Sequence, residues 1–200
     1  KRQRRNRWWW RQRWRLQRWW WWFWRRRCFR TVVNMAQIKR IFRHLTSTQR
    51  QVKRAFPPVT LTAIEQAIQS AEATHRGEIR FVVEGALDCA PLLKDVTARE
   101  RAIDVFAQLR MWDTELRTGV LIYLLMSDRQ IEIVADRGID AHVDKLTWTA
   151  MCLKLEQAFR EGQFEKGALA CIAAVTAELQ THFPVSATDR NELPDAPVLM

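Results

Sequence analysis

The sequence has few of the residues that mark specialised classes of protein. Its four cysteines, at positions 28, 89, 152 and 171, form no CxxC pair, which argues against a disulfide framework or a zinc site and favours a reducing compartment. Six glycines and six prolines in 200 residues exclude a collagen-like chain. No apolar run approaches the roughly 18 residues of a membrane-spanning helix. We therefore expect a soluble, cytoplasmic domain of ordinary size.

Acidic residues are missing from residues 1–34. This segment contains 13 of the 33 basic residues and nine of the 11 tryptophans. Interleaved Arg and Trp would suit an interfacial membrane anchor or RNA stacking. The repetitive composition, with Met35 directly after it, favours a misplaced start or a disordered segment instead. Residues 35–200 carry 20 basic and 22 acidic groups, so nucleic acid is not an expected partner.

Residues 35–59 also lack acidic side chains, and here the pattern is helical. Ile38, Ile41, Phe42 and Leu45 share one helical face within residues 38–55, and basic residues surround them. Such a helix could contact a membrane surface peripherally, at the inner membrane of a bacterium, or could pack on the domain as an ordinary solvated helix. Pro57 and Pro58 end the pattern.

The remaining chain predicts a three-layer α/β domain over residues 60–183. Helices are predicted over residues 60–75, 98–112, 147–160 and 164–182, with capping-box spacing at Thr62/Glu65 and at Thr97/Glu100. Strands are predicted over residues 78–84, 119–126 and 131–135. The first two should be parallel and the third antiparallel, which makes a small mixed β-sheet flanked by helices. Residues 184–200 are expected to form a mobile tail.

Carboxylates from separate segments are expected to meet at one rim of this sheet. Asp113 and Glu115 precede the central strand, and Asp136 and Asp140 follow the antiparallel one. Oxygen ligands without sulfur suit Ca²⁺ or Mg²⁺, and Arg137 could bind a phosphate. Asp136 and Arg137 are therefore the candidate catalytic residues for water attack on a phosphoester. These carboxylates could instead cap helices and complement their dipoles.

Several motifs resemble the TPM domain family, an α/β group found in bacterial membrane-associated proteins and in a thylakoid-lumen phosphatase. They are Trp112 with its acidic loop, the run RTGVL at 117–121, SDR at 127–129, IEIVADRG at 131–138, and the segments HRGEIRFVVE and FREGQFEKGAL. The last two fit a cytoplasmic-looking bacterial branch. Many relatives have two asparagines where this chain has Arg117 and Thr118, and many carry a signal peptide and a trailing transmembrane segment.

Two functions remain open from the sequence. The resemblance implies phosphatase activity for some members, here with a divalent metal at the rim. The interpretation we favour is a non-catalytic interaction domain linked to a membrane-protein assembly, with residues 38–55 as the contact surface. No GxSxG, P-loop, GxGxxG or HExxH motif is present, so the sequence names no nucleophile.

Overall fold

The structure is a computed structural model that describes residues 35–46, 49–185 and 193–200. The Arg/Trp-rich segment at 1–34 lies outside these residues. The chain divides into two units, residues 1–39 and residues 40–200, and every contact discussed below belongs to the second. The helices are α1 Met35–Thr46, α2 Gln49–Ala55, α3 Pro58–Glu72, α4 Cys89–Leu93, α5 Ala98–Gln108, α6 Arg137–Asp140, α7 Lys145–Arg160 and α8 Phe164–His182.

Four strands form one mixed sheet in the order β3-β2-β1-β4. They are β1 Ile79–Glu84, β2 Val120–Leu125, β3 Gln130–Ala135 and β4 Val198–Leu199. Strand β1 runs parallel to β2, and β2 runs antiparallel to β3. The α/β class and the mixed sheet predicted from the sequence are confirmed. Strand β4 was not predicted: it comes from the segment expected to be a mobile tail, and it pairs parallel with β1.

Both faces of the two central strands are covered, which explains why all twelve of their residues are buried. Ile79, Phe81 and Val83 face a core that also contains residues of α3, α7 and α8. Val82 of β1 points to the opposite face, into a second core built with α5. The alternation follows from the two-residue period of a strand, and it makes the domain a three-layer structure.

The helix boundaries test two predicted capping boxes. At α5, Glu100 N–H donates to the Thr97 hydroxyl and the Glu100 carboxylate accepts the Thr97 N–H, so this capping box is confirmed. The box predicted at Thr62 is wrong, because α3 already begins at Pro58. Proline suits the first turn of a helix, since its missing N–H would have no intrahelical partner there.

The basic stretch predicted as one helix over residues 38–55 is two helices, α1 and α2. Val52 of α2 and Phe56 just after it are buried in the first core. The Phe56 ring lies 5.9 Å from the ring of Phe81 and 5.7 Å from that of Phe164. The hydrophobic core therefore begins before residue 60. Among the described helices, none is long and apolar enough to cross a bilayer.

Candidate functional site

The acidic rim lies where β1 and β2 begin and β3 ends. Two backbone hydrogen bonds tie its segments together: the Asp136 N–H donates to the Gly119 carbonyl at 2.8 Å, and the Gly138 N–H donates to the Arg117 carbonyl at 2.9 Å. A Cβ on Gly138 would lie 2.3 Å from the Leu116 carbonyl oxygen, so only glycine fits here. The loop before β2 and the turn after β3 therefore do meet.

Asp136 is the buried carboxylate of the rim. Its Oδ1 accepts the Arg137 N–H at 2.7 Å and caps α6, the alternative role considered from the sequence. Its Oδ2 is buried and finds no hydrogen-bond donor within the described residues. A buried oxygen without a donor is costly, so this atom is the point of the rim best suited to receive a ligand or a water.

The other predicted ligands do not converge on Asp136. Asp113, Arg137 and Asp140 are exposed. Glu115 is exposed as well, with its Oε2 3.6 Å from a guanidinium nitrogen of Arg76. In the part of the chain that the structure describes, no three His, Cys, Asp or Glu side chains form a group able to hold a metal. Asp136 is thus the one predicted ligand that is buried, and the expectation of Ca²⁺ or Mg²⁺ stays a prediction.

Arg117 and Thr118, where many relatives have two asparagines, shape the backbone of this rim. Arg117 has φ = 56°, a left-handed conformation that asparagine adopts more easily than arginine. The Thr118 hydroxyl donates to the Arg76 carbonyl at 2.9 Å, and the Thr118 N–H donates to the Thr114 hydroxyl at 3.2 Å. Thr114 and Thr118 therefore hold the backbone of the loop in place through these hydrogen bonds.

A second charged cluster lies at the opposite end of the sheet, beyond the last residues of β1 and β2. Asp128, in the turn after β2, lies against two arginines and one histidine of α1. Its carboxylate oxygens lie 2.8 Å from Arg40 Nε, 3.0 Å from an Arg43 nitrogen and 3.0 Å from His44 Nε2. Asp128 and His44 are almost fully buried, so helix α1 is anchored to the domain by its charged side.

The hydrogen bond of His44 to the backbone identifies its tautomer. The Leu87 N–H donates to His44 Nδ1 at 3.0 Å, so Nδ1 carries no proton and the proton of the neutral ring belongs to Nε2. The Nε2 atom faces Asp128 at ion-pair distance without the alignment of a hydrogen bond. Arg40 extends the network to the Asp95 carboxylate at 3.0 Å and the Val96 carbonyl at 2.7 Å.

The anchoring of α1 leaves much of its apolar surface outside. Ile41 packs against the second core, but Ile38, Phe42 and Leu45 are exposed, the last two over 67% and 66% of their surface. Arg43 is half exposed, and Arg50, Lys53 and Arg54 of α2 are exposed. We call Phe42, Leu45, Arg50, Lys53 and Arg54 the outer face of α1 and α2. It combines apolar groups with positive charge.

A closed polar network lies inside the α5 side of the sheet. The Tyr123 hydroxyl donates to Glu84 Oε2 at 2.7 Å, and Arg101 donates to both Glu84 oxygens at 2.8 and 3.1 Å. Burial, and then the bond to Glu84, raises the pKa of Tyr123. The bond to Glu84 likewise raises the pKa of Arg101. All three groups satisfy one another, which makes this network part of the scaffold rather than a reactive site.

The buried thiols are not candidate nucleophiles. A groove of about 420 Å³ between α7 and α8 is lined by alanines, by Met151 and Leu155, and by Cys171. Burial raises the pKa of Cys171 to about 12 and that of Cys152 to about 11. Only the thiolate is strongly nucleophilic, so both thiols are unreactive at neutral pH.

Comparison with known proteins decides the family. The family model described as "TPM domain" matches residues 52–178. The chain belongs to the TPM domain family. Among solved structures, the domain is similar to the NMR structure of the BA42 protein from the psychrophilic bacterium Bizionia argentinensis. The sequence identity is 31% and the TM-score is 0.63, over 70% of this chain and 92% of that one. A comparison with curated proteins finds no match.

The TPM match begins at residue 52 and so leaves out α1. The sequence patterns did not connect Asp128 with α1. Arg43 and Asp128 are separated by 85 residues, and no periodicity links two such positions.

Proposed function

We propose that this TPM domain is a non-catalytic interaction domain, and that it binds a membrane-protein assembly through the outer face of α1 and α2. The observation that carries the proposal is the orientation of α1. Its arginines and histidine bind the domain at Asp128, whereas Phe42 and Leu45 remain about two-thirds exposed. An isolated domain normally orients an amphipathic helix the other way.

Burying the exposed apolar side chains of this helix against a partner would contribute favourable binding free energy. Burying one leucine or phenylalanine completely is worth about 1.5–3 kcal/mol, so covering the exposed parts of Phe42 and Leu45 would contribute roughly 2–4 kcal/mol. In this orientation of the helix, both apolar side chains stay in contact with water. A partner that covers them would recover that free energy.

The charge of the outer face indicates the chemistry of the partner. Residues 35–59 contain six basic residues and no acid. Arg50, Lys53 and Arg54 are exposed on α2, the next helix along the chain. A partner with an apolar strip bordered by acidic side chains would complement this surface, and the association should weaken with salt. The resemblance is to a family that includes bacterial membrane-associated proteins, and this supports a partner at the membrane.

Co-sedimentation with membranes tests this function. The full chain is mixed with bacterial membrane vesicles that retain their integral proteins, and with liposomes of the same lipids alone. We expect the chain to sediment with the vesicles, and the double variant Phe42→Ser/Leu45→Ser to lose about tenfold or more of this binding. The matched control is Leu146→Ser/Leu153→Ser, which removes two equally exposed leucines from α7.

Two results would contradict the proposal. If Phe42→Ser/Leu45→Ser sediments like the wild type, the outer face does not bind the membrane. If the liposomes bind as much chain as the vesicles, the partner is lipid and not a protein assembly.

A divalent-metal-dependent phosphatase is the second candidate, and the buried Asp136 Oδ2 without a donor favours it. Asp136 would hold the metal, which would activate a water for attack on a phosphoester. The full chain should then hydrolyse a generic phosphoester with Mg²⁺ or Ca²⁺, and Asp136→Asn should abolish the activity while the exposed Asp104→Asn keeps it. Turnover no higher than that of a heat-inactivated sample would refute this candidate.

A further inference from the structure

The outer edge of β1 is covered by the last residues of the chain. The Met200 N–H donates to the Val83 carbonyl at 2.9 Å, and the Gly85 N–H donates to the Met200 carbonyl at 2.9 Å. Val82 and Val83 lie beside Val198 and Leu199 in a parallel register. An uncovered strand edge readily pairs with another extended chain, so the tail occupies a position that any compatible peptide could take.

The tail contacts the domain through its side chains as well as through its backbone. Leu193 and Val198 pack against the second core, where Val82 lies. Leu199 and Met200 remain 41% exposed. The tail is therefore bound through its backbone and two apolar side chains, in the manner of an extended peptide added to a sheet.

A buried arginine, Arg80, lies near the first residues of the tail. Arg80 is 7% exposed, and its Nη1 is buried with no hydrogen-bond acceptor among the described residues. Glu72, Glu78 and Asp195 are the acidic side chains that lie near it. The Leu193 N–H donates to Glu78 Oε2 at 3.3 Å. Burial, with further contributions from Glu78 and Asp195, raises the pKa of Glu72 to about 9, so Glu72 is protonated at neutral pH.

We propose that the edge of β1 is a peptide-binding slot. The tail, residues 193–200, occupies it within the chain, and an extended partner peptide of the same chemistry replaces it. The recognised pattern is a carboxylate that lies near Arg80, followed three residues later by two apolar residues, as in Asp195, Val198 and Leu199. The slot shares no residue with the outer face of α1 and α2, and its existence does not depend on the function proposed above.

The tail is held weakly enough to exchange. A backbone hydrogen bond contributes about 0.5–1.5 kcal/mol net, and the strand pairing of β4 covers two residues. A segment held by so few bonds opens far more often than the core strands do. Its attachment to the chain gives it a high effective concentration, so it competes with a partner peptide until that peptide is abundant or binds better.

Peptide binding to the full chain tests the slot. The probe is a fluorescent synthetic peptide with the sequence of residues 193–200. The variant Met200→Pro removes the N–H that binds Val83 and so weakens the tail, whereas Met200→Ala keeps that N–H and serves as the control. We expect the probe to bind Met200→Pro about tenfold more tightly than Met200→Ala. A probe with alanine in place of its aspartate should lose about tenfold.

Hydrogen exchange at Gly85 reports on the same site. Its amide should exchange faster in Met200→Pro than in Met200→Ala, and excess probe should restore the protection. Equal probe affinity for the two variants, equal affinity for the alanine probe, or unchanged exchange at Gly85 would each overturn the proposal. A concentration-dependent dimer of the wild type that Met200→Pro abolishes would also overturn it, because the occupant would then be the tail of a second copy.

Discussion

The ion pairs between α1 and Asp128 predict that replacing Asp128 lowers the free energy of unfolding. Replacing Asp128 by asparagine keeps the shape of the side chain and removes the negative charge that pairs with Arg40 and Arg43 and faces His44. Asp128 is 6% exposed and His44 is 1% exposed, so solvent screens their interaction little. Breaking a buried ion pair from one side costs about 3–5 kcal/mol. Arg43 is half exposed, and Arg40 keeps its bonds to Asp95 and Val96, so we expect roughly 2–3 kcal/mol here.

The assay is urea denaturation combined with hydrogen exchange. The free energy of unfolding of Asp128→Asn should fall by the amount given above. Exchange at the Leu87 amide should become faster, because this amide donates to His44. The control is Asp88→Asn, which removes an exposed carboxylate that makes no capping bond. A loss below about 0.5 kcal/mol, with unchanged exchange at Leu87, would refute the anchoring role of Asp128.

Three other predictions concern the scaffold. Gly138→Ala forces a methyl group to within 2.3 Å of the Leu116 carbonyl oxygen, so thermal unfolding should show a loss of about 2 kcal/mol or more; an unchanged melting temperature would contradict the close approach. Glu72 has a raised pKa in the folded chain, so its contribution to stability is greatest below pH 4.5 and declines, by at most about 1.4 kcal/mol per pH unit, up to about pH 9. Glu72→Gln should flatten the decline in denaturation measured across that range, and an identical slope would refute the assignment. Tyr123→Phe removes one donor from Glu84, whose bonds to Arg101 remain, so urea denaturation should give a loss of about 1–2 kcal/mol; no loss would mean that the network is not closed.

The central strands were predictable because their chemistry is local. Residues 119–126 form a continuous apolar run, and the structure buries all of β2 inside that run. The capping box at Thr97 was predictable for the same reason, since both of its hydrogen bonds lie within four residues. The prediction at Thr62 failed because the same spacing occurs inside a helix that Pro58 had already begun. A capping pattern alone does not tell the first residue of a helix from an interior one.

The parts that were missed depend on distant contacts. Strand β4 has two residues beside Pro197, too few for a period to appear, and it exists because β1 offers an edge. The orientation of α1 depends on Asp128, which lies 88 residues after Arg40. A hydrophobic pattern shows that a helix has two faces, and the tertiary partner determines which of them points inward.

The acidic rim is an intermediate case. The strand order predicted from the sequence correctly made the loop at 113–118 and the turn at 136–140 neighbours, because strand order determines which strand ends are adjacent. It could not determine side-chain direction in loops. Asp136 turned inward as a helix cap, while Asp113 and Asp140 face solvent.

Photo-crosslinking from the outer face shows whether α1 contacts a membrane protein. A photoreactive amino acid is placed at Leu45 in the full chain, and a control chain carries it at Leu153 of α7, which is similarly exposed. The chains are irradiated with bacterial membrane vesicles and with liposomes of the same lipids. Our account predicts a discrete crosslinked membrane protein from position 45 in the vesicles, and none from position 153. Equal crosslinking from both positions, or crosslinking from position 45 to lipid alone, would contradict it.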